Sequence, residues 1–151
     1  MENNNWENRI TWSGELITGN DKIDEQHKKI ITVANVFIEA CLKKECKQFL
    51  SEMLSFLIDY TVEHFDYEEK LMIEYNFPEY ENHKNFHEEF KITVNKLKTD
   101  FDSNGESYEL SKNLSDIIVK WLIKHIKHED LKIAKYIRKT NKTKNIKYNN
   151  I

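Results

Sequence analysis

Four stretches of this sequence repeat apolar residues at steps of three and four, the spacing that puts side chains on one face of a helix. The first runs Ile23, His27, Ile30, Ile31, Ala34, Phe37, Ile38; Asn20 is available as its N-cap, with Asp21 and Asp24 nearby, and it ends near Lys43. The second, Leu50, Met53, Leu57, Tyr60, His64, Glu68, Leu71, Tyr75, stops at Asn76-Phe77-Pro78, because proline disfavours helical geometry in the residue before it. Pro78 suits the first turn of a third helix, whose inward face is His83, His87, Phe90, Val94, Leu97, Phe101 and whose end is Ser103-Asn104-Gly105. Ser107 caps the fourth, Leu110, Leu114, Ile117, Ile118, Trp121, Leu122, His125, which continues as Ile126, Asp130, Ile133, Ala134, Ile137 and then frays.

Four amphipathic segments joined by short connections pack most simply as an all-α, up-down-up-down four-helix bundle, predicted over residues 20–138. Residues 1–19 hold Trp6, Ile10, Trp12 and Ile17, which are costly to leave in water, so they are expected to form an N-terminal arm packed on the bundle. Residues 139–151 read as a polar, basic tail.

Composition narrows this picture without changing it. Three glycines and one proline leave little material for hairpins, and 151 residues suffice for one domain with a sizeable core. No run approaches the ~18 to 20 apolar residues of a membrane span, and the polar start lacks a signal peptide's apolar segment, so the expected compartment is the cytoplasm. A net charge of −3 argues against a nucleic-acid partner, and the seven Lys or Arg after Asp130 read as a solvated helix end. Cys41 and Cys46 form neither a disulfide framework nor a Cys-x-x-Cys spacing and are read as ordinary small side chains.

The chemistry lies in polar residues on the inward stripes. His27, His64, Glu68, His83, His87 and His125 come from all four segments, and unpartnered imidazoles and carboxylates in a core are costly. His64 with Glu68, and His83 with His87, are four apart and share a helix face. One core histidine is usually a hydrogen-bonded structural residue, but five on four inward stripes point to a shared ligand. Asp130 follows His125 by five residues, about 140° around a regular helix, where His128 and Glu129 fit the same face better. The stripe Ile126, Asp130, Ile133, Ile137 shifts phase, however, and turns Asp130 inward and Glu129 outward. His128 and Glu69 read as solvated and outside the site.

Five histidines and two carboxylates exceed one tetrahedral zinc site, and imidazole with carboxylate suits iron. No histidine has Glu three residues before it, as the Glu-x-x-His pairs of ferritin-like bundles require. The order His27, His64-x-x-x-Glu68, His83-x-x-x-His87, His125-x-x-x-x-Asp130, with Trp12 in the arm and Trp121-Leu122 before the last histidine, resembles the hemerythrin family, specifically its single-domain bacteriohemerythrins. The resemblance spans residues 10–137.

It implies a non-haem di-iron centre in which His83, His87 and His125 bind one iron and His27 and His64 the other. Glu68, Asp130 and an oxo or hydroxo group would bridge the two ions, and the two-histidine iron would keep an open position. Ile30, Phe65, Trp121, Leu122 and Ile126 would line the pocket for dioxygen as ligand. The function so implied is reversible dioxygen binding for oxygen storage, transport or sensing by a monomer, with an electron donor or oxygen-consuming enzyme as partner. No catalytic acid or base is identified, so an enzyme is not expected. The alternatives are a di-iron oxidase or peroxidase, a nitric oxide or redox sensor, and an iron-handling protein.

Overall fold

A computed structural model describes residues 9–148 and the side chains of 9–145; helices are the regular elements among them. They are α1 (Asp21–Leu42), α2 (Leu50–Glu74), α3 (Tyr80–Asn104), α4 (Tyr108–His125) and α5 (Leu131–Tyr148). A π-helical turn, Ile126–Asp130, joins α4 to α5, so the two form one continuous rod and the chain is a four-helix bundle. In the bundle α1 packs on α2 and α4, and α3 packs on the same two.

The expected caps form. Asn20 Oδ1 accepts from the Ile23 N–H at 3.1 Å, and Ser107 Oγ accepts from the Leu110 N–H at 3.0 Å. The ends of α1 and α2 both close with a residue in the left-handed region, Lys44 at φ 60 and Asn76 at φ 53. The N–H of the following residue then returns to a carbonyl in the last turn, Glu45 to Ala40 at 2.8 Å and Phe77 to Met72 at 2.8 Å. Pro78 sits in the turn ahead of α3 rather than within its first helical turn. The last helix continues to Tyr148 instead of fraying after Ile137, since Lys, Arg, Ile and Tyr carry the helix and no Gly or Pro interrupts it.

Ile10 and Leu16 are buried in the main core and Trp12 packs against it, while Ile17, expected to be covered, is 49% exposed. A short 3-10 turn at Gly14–Leu16 turns Leu16 inward in its place. Trp6 lies outside the described residues. The arm is tied down by polar contacts: Asn35 exchanges hydrogen bonds with both backbone groups of Ile10, at 2.9 and 2.7 Å. Buried Asp24 accepts from the N–H and hydroxyl of Thr18, at 2.8 and 2.7 Å, and from the Gly19 N–H at 3.1 Å.

Cys41 and Cys46 are joined as a disulfide, with Cα atoms 4.5 Å apart, which corrects the reading of two ordinary side chains. The left-handed turn at Lys44 folds the chain back on the end of α1, a proximity that the five-residue spacing does not reveal.

Candidate metal centre

All seven residues singled out from the stripes meet in one place, and all seven are buried. They form two groups that share both carboxylates: His83, His87 and His125 with Glu68 and Asp130, and His27 and His64 with the same pair. Within each group one nitrogen or oxygen atom from every residue lies within 4.8 Å of the others. His125 Nε2 is 2.9 Å from Asp130 Oδ1, and His27 Nε2 is 2.9 Å from Asp130 Oδ2. His87 Nε2 and His64 Nε2 lie 3.1 and 3.4 Å from the two oxygens of Glu68. His83 Nε2 stands between the carboxylates, 3.5 Å from Glu68 and 3.4 Å from Asp130.

The π turn explains how Asp130 gets there. Hydrogen bonding from i to i+5 widens the helix by one residue, so five residues bring the chain back under His125. The phase shift in the apolar stripe was the trace of this turn. Glu129 turns away from the cluster, half-buried beside Lys132 at 3.2 Å, and His128 is exposed.

These short distances are not a set of satisfied hydrogen bonds. Both oxygens of Glu68, both of Asp130, and the Nε2 atoms of His27 and His125 are buried without a properly directed partner. Two carboxylates at 0% exposure cost several kcal/mol each in solvation unless matched by positive charge. Atoms that approach closely without being aimed at one another fit a shared cation between them. The donor set of imidazole and carboxylate fits iron.

The electrostatics of the protein alone show how the cluster copes. Burial lowers His64 to about 4, so its ring is neutral and available as a ligand. Burial would also lower His83, but Asp130 and Glu68 outweigh it and raise the ring to about 10. His27 is raised in the same way, burial being overcome chiefly by Asp130. Burial pushes both Glu68 and Asp130 up, and Asp130 adds to this at Glu68, yet the surrounding histidines hold both below the ordinary carboxylate range. Protons on histidine thus occupy the place of positive charge that metal ions would take.

Two supporting residues were missed in the sequence. Glu69, read as solvated, accepts from His87 Nδ1–H at 3.0 Å, and buried Gln26 places Oε1 2.8 Å from His64 Nδ1. Each holds the far nitrogen of a ring whose near nitrogen faces the carboxylates. Gln26 lies three residues after Ile23 and four before Ile30, so it shares the inward face, but a neutral amide beside His27 did not stand out as a ligand, and Glu69 directly follows Glu68, where periodicity gave no signal. The interior holds further polar groups, among them Tyr60, beyond the seven clustered residues.

Ile30, Phe65, Leu122 and Ile126 are buried and Trp121 is half-buried, all in the main core. Phe65 stacks on His87 with ring centroids 3.8 Å apart, and Trp121 stacks on His125 at 4.3 Å. The candidate pocket residues Phe65 and Trp121 therefore touch the histidine cluster directly.

Comparison with known proteins shows the family of the chain. Residues 18–137 match the family described as the hemerythrin HHE cation binding domain. A bacteriohemerythrin of Pseudomonas aeruginosa is 33% identical over 121 residues, covering 80% of this chain and 76% of the relative. One of Stenotrophomonas maltophilia is 32% identical over 129 residues, 85% and 82% of the two chains. A hemerythrin-like protein of Naegleria fowleri is 30% identical over 123 residues, 82% and 89% of the two.

Proposed function

Since the chain belongs to the hemerythrin HHE cation-binding family, we propose that it holds two iron ions and through them binds dioxygen reversibly, serving oxygen storage, delivery or sensing. The observation that carries this reading is the pair of donor groups sharing Glu68 and Asp130. His83, His87 and His125 would hold one iron, His27 and His64 the other, with both carboxylates common to the two. Bound ferrous ions supply the electrons that make oxygen binding possible.

The chain's own residues do the rest. Glu68 and Asp130 would offset half the charge of two divalent ions inside a buried core. Gln26 and Glu69 fix the rings of His64 and His87. Ile30, Phe65, Leu122, Ile126 and Trp121 keep the surroundings apolar, which limits the access of water. The histidine set is asymmetric, three against two, so a free coordination position would fall on the side of His27 and His64.

The test is the visible spectrum of anaerobically reduced, iron-loaded protein before oxygen, after oxygen and after its removal. A charge-transfer band that appears with oxygen and vanishes when it is removed supports an oxygen binder. Irreversible oxidation, or sustained turnover with a reductant, would replace this reading with an oxidase or redox sensor.

A further inference from the structure

Among the buried polar atoms that metals at the shared carboxylates do not account for are the Gln26 amide nitrogen and the Tyr60 hydroxyl. The two residues line one cavity of about 170 Å³ between α1 and α2, together with Lys29, Phe56, Asp59 and Glu63. Both also touch His64. Gln26 Oε1 lies 2.8 Å from its Nδ1, and the Tyr60 ring stacks on it with centroids 5.0 Å apart.

The chemistry of His64 fixes which way the amide faces. Its Nε2 turns toward the cluster, 3.4 Å from Glu68, so a ligating ring carries its proton on Nδ1 and donates it to Gln26 Oε1. The two amide hydrogens of Gln26 therefore point away from His64. An amide and a phenol left without partners in a core are costly, and a polar cavity needs only ~10–15 Å³ to take a water molecule.

We propose that this cavity is a built-in hydration site. Water accepts from Gln26 Nε2–H and bonds to Tyr60 Oη, and the bridge clamps the amide that orients His64. Gln26 and Tyr60 are then positioning residues for one of the two irons. His87 has no such dependence, because the carboxylate of Glu69 holds its Nδ1 directly at 3.0 Å. The consequence is an imbalance between two rings: the orientation of His64 depends on water, and that of His87 does not. This rests on the two-iron reading above.

Two measurements test it. A high-resolution crystal structure should place ordered water within hydrogen-bond distance of both Gln26 Nε2 and Tyr60 Oη, with or without iron; a dry cavity overturns the proposal. In the iron-loaded protein, release to a chelator should split into two phases in Gln26→Leu and Tyr60→Phe. One iron should leave faster by on the order of 10-fold in Gln26→Leu, and by less in Tyr60→Phe, with the other unchanged. Gln26→Glu, which still accepts from His64, should restore slow release. Equal acceleration of both irons, or of neither, overturns the proposal; Tyr60→Phe keeps the ring and its stacking, so it remains informative should Gln26→Leu misfold. Iron counted per wild-type chain tests the two-iron reading separately.

Discussion

His64 and His83 sit in the same cluster yet are driven to opposite protonation states, and this sets how the metal-free protein should respond to pH. Between the ordinary histidine value of 6.5 and about 4, the folded chain leaves His64 neutral where the unfolded chain protonates it. Stability contributed there is lost as pH falls through that window, and the lowered values of Glu68 and Asp130 extend the loss below about 4.5. His83 works the other way: raised to about 10, its contribution is complete below 6.5 and is lost as pH climbs toward 10, and His27 follows the same sense. Denaturant melts of chelated protein from pH 4 to 10 should therefore peak near neutrality, and iron loading should flatten the alkaline limb, because metal replaces the histidine protons. An alkaline limb unchanged by iron would argue against His83 as a ligand. His64→Ala should lower iron from two to one per chain while circular dichroism stays helical, since one face of the bundle loses a ring but the other core contacts remain. At this scale the sequence was legible where a histidine or its partner carboxylate fell on an apolar stripe. It was opaque at Gln26 and Glu69, whose roles come from the neighbour each ring nitrogen meets across the bundle.

The element that decides the site is the π turn between α4 and α5. A π turn is an α-helical turn with one residue added, so deleting exposed His128 should close it to a regular turn and leave the carboxylate four residues after His125, still on its face. The deletion variant is expected to retain most of its iron, whereas an alanine inserted after His128 should rotate Asp130 away and abolish loading. Metal analysis of the purified variants checks both. A second local prediction concerns Lys44, an exposed non-glycine residue at φ 60 between α1 and α2. Lys44→Gly should stabilise the protein by up to about 1 kcal/mol in denaturant melts, since glycine adopts this conformation without a Cβ clash. The helices themselves were legible from the three-and-four spacing, and the caps at Asn20 and Ser107 from residue type. The start of α3 and the length of α5 were not, because helix ends depend on local hydrogen bonding that periodicity does not encode.

For the molecule as a whole, the fold and the site are two outcomes of one pattern. Apolar residues on four faces specify a bundle, and seven polar residues on the same faces meet at one level of it. The arm was legible in outline but not in register, since Leu16 rather than Ile17 is buried, and the Cys41–Cys46 pairing needed the turn geometry to become visible. On the proposed function, the two groups of donors hold two metals with both carboxylates in common. Anomalous diffraction from iron-loaded crystals on the two sides of the iron absorption edge addresses it directly. Two iron peaks are expected, one among His83, His87 and His125 and one beside His27 and His64, each in contact with Glu68 and Asp130. A single peak, or iron away from the two carboxylates, would contradict it.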